Sequence, residues 1–324
     1  MLALVLSLAV SAGCTTSSPP SPDHDDQRAG CGPLTYEKVR GRPPAYLDTP
    51  ALDRFRNDHA VCAGVWVRAG RGFVPQGVVV GARAAWVSGF DGDAPLHHRY
   101  CAIAQVDLRT GRTLARLDPV TGRVGDRDPV TCRHGGGLVQ DSHGLWLVET
   151  SRLWLLEPGT LDVVRVWALA PPLRGSFALL DGGGRLGIGR WYPHRPGQVD
   201  WFDTDDLVAS GALDVALATA QRSTPAPRGT QGAVWGALGG GRPGAWFVQS
   251  VTRCGVLVGP EGTRRRGFVP GAEGMALAGR NGLWVVSESG AEHYQGLGGR
   301  PVVPTLVRLD LSDFAAWRRP GCSV

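Results

Sequence analysis

Lysine is nearly missing from this chain of 324 residues: Lys38 is the only one, so the 34 basic residues that outweigh 29 acids are otherwise arginine. The arginines are scattered, with short clusters at 264–266 and 318–319 that read as solvated turns. No basic stripe with interleaved aromatics is present, which excludes nucleic acid as a partner. No apolar run reaches the roughly 20 residues of a membrane-spanning helix. The central region has no long amphipathic helix period. GxSxG, HExxH and P-loop motifs are all lacking, so no nucleophile elbow, zincin site or phosphate loop can be assigned, and the catalytic residues are unknown. There is no CxxC pair either, which argues against structural zinc.

What the chain has is repetition. A polar or small residue, a glycine and an apolar run recur at Gln76-Gly77, Gly135-Gly136, Arg174-Gly175, Gln231-Gly232 and Glu273-Gly274. After each comes a second apolar run, built around Trp86, Trp146, Trp246 or Trp284 in four copies and reading Leu186-Gly187-Ile188 in the other. Third and fourth short runs follow, as in Ala104–Leu108 and Thr113–Leu117. Four short antiparallel strands per unit, repeated radially, make an all-β fold, a β-propeller. Five glycine-led starts favour five blades, and six follow if residues 34–74 form a blade of their own. Copies of outer-strand sequence near Cys62–Val67 imply a ring closed by N-terminal strands. The recurrent tryptophans read as packing between neighbouring sheets, with Trp191 the exception. Residues 49–62 carry a helix-start pattern, Thr49-Pro50, with Leu52, Phe55 and Val61 as an apolar face.

Residues 1–13 are apolar or small and fit an export signal. Ala12-Gly13-Cys14, followed by a Ser/Pro-rich stretch, resembles the lipobox of bacterial lipoproteins, with Ser11 where that family carries Leu. The resemblance implies lipid on Cys14, a polar tether over 14–33 and a propeller over 34–324 at the outer face of the cytoplasmic membrane. The alternative is plain secretion. Six cysteines then remain: Cys31, Cys62, Cys101, Cys132, Cys254 and Cys322. An even set on an exported chain predicts disulfides. Cys101 is expected to pair with Cys132, and Cys322 with Cys31 or Cys62.

Hairpin geometry gathers chemistry at one end of the wheel. The start of each first strand and the end of each second strand lie on the same face. The expected mouth therefore collects Gln76, His134, Arg174, Gln231 and Glu273 from the starts, with Glu149 and Arg253 among the second-strand ends. Asp91, Asp93, Glu273 and Glu288 could hold a hard divalent cation, with Ca2+ the candidate cofactor, which would polarise an ester, lactone or phosphoester. The other readings of this mouth are a site for a small ligand or a partner protein, and a merely hydrated channel.

Glu273-Gly274-Met275 and Gly282-Leu283-Trp284-Val285-Val286-Ser287-Glu288 resemble a signature of the esterase-like phytase propellers. The resemblance spans about twenty residues and implies Glu273 and Glu288 as an acidic pair at the mouth.

Overall fold

The computed structural model describes residues 30–47, 51–262, 264–296 and 300–324. The export signal, Cys14 and most of the tether lie outside the described residues. Cys31–Val324 form one compact unit, a β-propeller of five blades.

A closing strand, β1 (Val61–Val65), comes first. Blade one is β2 (Phe73–Val80), β3 (Ala84–Asp91), β4 (Cys101–Asp107) and β5 (Thr113–Leu117), followed by a ribbon of β6 (Thr121–Gly122) and β7 (Val130–Thr131). Blade two is β8 (Gly137–Gln140), β9 (Leu145–Val148), β10 (Arg152–Leu156) and β11 (Val163–Leu169). Blade three is β12 (Phe177–Leu180), β13 (Arg185–Arg190), β14 (Gly197–Asp203) and, beyond helix α1 (Thr204–Ala209) and β15 (Asp214–Val215), the outer strand β16 (Arg222–Ala226). Strand β15 pairs parallel with β11 and so laces blade three's excursion to blade two. Blade four is β17 (Thr230–Gly236), β18 (Gly244–Val251), β19 (Cys254–Val258) and β20 (Arg265–Phe268). Blade five is β21 (Ala272–Ala278), β22 (Gly282–Ser287) and, past helix α2 (Glu292–Gln295), β23 (Leu306–Asp310). Its fourth strand is β1, antiparallel to β23, so the wheel closes through one N-terminal strand.

Each seam between blades is an apolar cluster. Trp146 and Ile188 pack between blades two and three, Trp201 and Phe247 between three and four, and Trp246 and Leu283 between four and five. Of the recurrent tryptophans, Trp146, Trp246 and Trp284 are buried and Trp86 is half-buried, which gives them a packing role, while Trp191 is 41% exposed.

The recurrent glycines have a separate cause. The inner strands β2, β8, β12, β17 and β21 touch one another in a closed ring, and they meet almost backbone to backbone. A Cβ on Gly274 would lie 2.8 Å from the Gln76 carbonyl oxygen and the Val78 nitrogen; on Gly77, 2.8 Å from Leu138 N; on Gly137, 2.7 Å from the Phe177 carbonyl carbon; on Gly232, 2.8 Å from the Glu273 carbonyl carbon. Only hydrogen fits at these points. The glycines of blades one, two, four and five form a collar that pinches the axis and separates a polar cavity from an apolar one at the opposite end, lined by Val78, Leu138, Leu179, Val234 and Met275, whereas Gly175 of blade three faces Val148 and the Glu149 carbonyl.

Two expectations are corrected. The helix over 49–62 is absent among the described residues: 51–55 are irregular, and only Asp58–Ala60 make a 3-10 turn. Asn57 sits left-handed at φ 68°, which breaks any helix there. Leu52, Phe55 and Val61 serve different neighbours: Leu52 packs by Trp66, Phe55 on the blade four–five seam, and Val61 in β1. The second correction concerns the disulfides, which are Cys31–Cys62, Cys101–Cys132 and Cys254–Cys322. Cys322 bonds Cys254 because the C-terminal tail folds back along the β20 edge, where the Arg318 carbonyl accepts from Gly267 N at 3.0 Å. The Cys31–Cys62 bridge and a Gly32 N–H to Val61 O bond of 2.7 Å fix the end of the expected tether to the propeller.

Candidate functional site

The polar end of the axis is a cavity of about 550 Å³. Three of its residues arrive by the same device. In β2, β17 and β21 the register against the second strand slips by one at Gln76, Gln231 and Glu273-Gly274. A bulge turns the extra side chain out of the ladder, here toward the axis. The polar-glycine dipeptide thus does two jobs: its first residue faces the mouth and its glycine fits the collar.

Glu273 and Glu288 make the floor, 3% and 7% exposed. Glu288 accepts from Gln76 Nε2 at 3.2 Å and from the Tyr294 hydroxyl. Glu273 Oε1 is buried with no hydrogen-bond partner. Burial drives the Glu273 carboxyl well above its usual range, and the adjacent Glu288 adds to the rise. Burial lifts Glu288 to about 7 against the opposing Tyr294 and Gln76 hydrogen bonds. The pair therefore holds at least one proton near neutrality. Burial likewise pushes the Tyr294 phenol upward, with the two carboxyls reinforcing it.

The walls carry charge of both signs. Glu149, at the end of β9, is 1% exposed and raised by burial, although Arg152 Nη1 donates to it at 2.8 Å. His134, held left-handed at φ 76°, stacks on Phe90 with ring centroids 4.4 Å apart. Much of its own surface opens to the mouth, yet crowding by protein, then Arg99 and Arg133, hold its imidazole down at about 4, toward a neutral ring. Arg190 faces the buried Asp200 at 3.0 Å, and Ser223 also donates to Asp200. Arg174 is exposed on the rim with no partner among the described residues, beside Trp191 and Tyr192.

Of the residues expected at this mouth, Gln76, His134, Glu149, Arg174, Gln231, Glu273 and Glu288 line it together. Arg253 does not: it lies in the two-residue turn between β18 and β19, which is too short to reach inward, and lines an outer groove. Asp91 and Asp93 also stay apart from the glutamates. Asp91 ends β3 exposed, and Asp93 lies 3.4 Å from His293 Nδ1 on α2. Among the described residues the one trio of possible metal ligands within reach of each other is Cys31, Cys62 and Asp310, whose cysteines are already bonded together. A four-carboxylate cation site is therefore not assembled. Phe90, Arg99 and Tyr294 line the mouth without having been expected there. The sequence signal for Arg99 and Tyr294 is the long second-to-third-strand connection of blades one and five, on the mouth side, while Phe90 lies in β3 itself.

No protein-family model matches this chain, and no curated protein sequence does. Among solved structures it is similar to the PQQ-bound aldose sugar dehydrogenase of Streptomyces coelicolor, with 15% identity, 77% of this chain and 97% of that chain covered, and a TM-score of 0.40. It is also similar to a calcium-binding protein, regucalcin, of Agrobacterium tumefaciens, with 12% identity, coverage of 77% and 94%, and a TM-score of 0.44.

Proposed function

We propose that this chain is an exported propeller, held by lipid on Cys14 at the outer face of the cytoplasmic membrane, that binds a small polar ligand in its mouth. One observation carries the binding reading. Glu273 places an unpartnered oxygen at 97% residue burial in the floor of an open cavity. An unsatisfied buried acceptor costs about 1–3 kcal/mol, and a donor on a ligand removes that cost. The fitting ligand brings N–H, O–H or cationic groups to Glu273 and Glu288, and an acceptor or anion to Arg174 on the rim. Ligand-observed NMR with a panel of small polyols, amines and amino acids tests this on wild type and on Glu273→Gln/Glu288→Gln. Binding lost in the double variant supports the mouth; binding equal in both proteins removes it.

The same oxygen favours a second reading, a cation-assisted hydrolase. Ionised Glu273 and Glu288 are hard oxygen ligands suited to Ca2+, with water completing a set of six to eight. A cation there would polarise the carbonyl or phosphoryl group of an ester, lactone or phosphoester. Calorimetry of EDTA-treated protein with Ca2+ decides: stoichiometric binding weakened by the glutamine variants supports it, and unaltered affinity takes both residues out of the site.

A further inference from the structure

Arginines with open donors gather in a second cavity of about 680 Å³, at the outer edge of blades four and five. Its walls are the segment 53–59, the β18–β19 turn, the start of the segment leading to β23, and the C-terminal tail. Arg54, Arg56, Arg253, Arg300 and Arg318 line it, against only Asp53 and Asp58. Both acids are already engaged. Arg300 Nη1 reaches the two oxygens of Asp53 at 2.9 and 3.0 Å, and Arg54 pairs with Asp58. Arg56 uses its Nε on the Arg319 carbonyl at 3.0 Å. The side chains of Arg253 and Arg318 have no partner among the described residues. Three guanidiniums are thus left with most of their donors open, in a frame whose acids cannot neutralise them.

That frame is rigid. The Cys254–Cys322 disulfide joins two of its walls. Asn57, 4% exposed, donates to the Gly267 and Arg318 carbonyls at 2.8 and 3.1 Å and accepts from Arg318 N at 2.8 Å. Guanidinium forks presented from such a frame match phosphate oxygens in geometry as well as charge.

We infer that this groove binds the phosphate headgroups of an anionic bilayer. The choice of occupant rests on the anchored reading of Cys14. The Cys31–Cys62 bridge ties Cys31 to the strand that continues the groove wall, Cys62 lying three residues beyond His59. Only 16 residues of sequence separate Cys14 from Cys31, a length that spans at most about 55 Å when fully extended. A lipid anchor within that reach and the basic groove then act on one surface, the two-signal arrangement that makes membrane attachment stable.

The test is flotation of the full chain carrying Cys14→Ser, so that no acyl group contributes. Vesicles of phosphatidylglycerol mixed with phosphatidylcholine are compared with pure phosphatidylcholine, at low and high salt. The apolar N-terminus contributes equally to both vesicle types. Preference for the anionic vesicles, lost in high salt, is expected. Arg253→Gln/Arg318→Gln should lower that partition about 30-fold, from about 1 kcal/mol per arginine near the surface, with melting unchanged. Equal binding to the two vesicle types, or anionic binding untouched by the double variant, overturns the inference. So does stabilisation by inorganic phosphate without vesicle preference, which assigns the groove a soluble phosphate instead. Mass spectrometry of Cys14 in the native host tests the anchor separately.

Discussion

Replacing Gly274 by Ala puts a methyl group where the ring of inner strands has no room. The new Cβ would lie 2.8 Å from Gln76 O, 2.8 Å from Val78 N and 2.9 Å from the Gly77 Cα, all backbone atoms. Non-bonded atoms attract at about 3.5 Å and beyond, so β2 and β21 must separate by roughly 0.7 Å. No rotamer change can relieve a backbone clash. In a closed wheel the movement is also passed to the neighbouring seams, where Gly77 already meets Leu138. Overpacking of this kind costs about 1–3 kcal/mol, and the lack of a soft neighbour points to the upper end. Gly211→Ala is the control, because nothing lies within 4 Å of its added Cβ; it should be neutral or slightly stabilising. Urea unfolding of the disulfide-intact proteins measures both. Equal stability of Gly274→Ala and Gly211→Ala would refute the collar, and with it the explanation of the glycine repeat.

Three other outcomes follow from the structure. Glu288 is held up to about 7, so its stabilising contribution is full below the unfolded carboxyl value of about 4.3 and is lost as the pH rises through 7. Glu288→Gln should therefore gain about 2–3 kcal/mol on wild type between pH 5 and pH 8 in urea titrations; parallel pH profiles would contradict a desolvated carboxyl. Cys254→Ser/Cys322→Ser opens a bridge across 68 residues, which on the chain-entropy estimate costs on the order of 4 kcal/mol, read from the same denaturation curves. Asn57→Ala loses hydrogen bonds to the Gly267 and Arg318 backbone and also strains a positive φ; it should cost about 2–4 kcal/mol, while Asn57→Gly, free of the φ penalty, should cost less.

The wheel was readable because its cause is periodic. Each blade needs an apolar inner strand and a bulky residue at the seam, and every blade but the third a glycine at the collar, so polar-glycine and Trp positions recur. The same recurrence placed Gln76, Gln231 and Glu273, although the bulges that turn them inward leave no mark beyond the dipeptide. Periodicity fails where connections differ. Arg253 sits in a turn of two residues and Gly92-Asp93 in a long loop that packs against α2, and both look alike as residues after a second strand. Tyr294 reaches Glu288 from α2, a helix inserted between the second and third strands of blade five. The helix over 49–62 failed for another reason: segment 53–59 is held by distant partners, Asp53 N to the Val302 carbonyl and Asn57 to Gly267 and Arg318, and such long-range bonds override local propensity. Cys322 found Cys254 through the path of the tail along β20, which spacing alone does not encode.

The desolvated acid pair in the mouth is open to direct observation by carboxyl-carbon NMR of glutamate-labelled protein, with Glu273→Gln and Glu288→Gln supplying the assignments. The Glu288 signal should titrate near pH 7 and the Glu273 signal should remain protonated to higher pH, and both should shift when a mouth ligand or Ca2+ is added. Two signals titrating near pH 4.3, the ordinary glutamate value, and unmoved by any addition, would show a hydrated channel in place of a binding site.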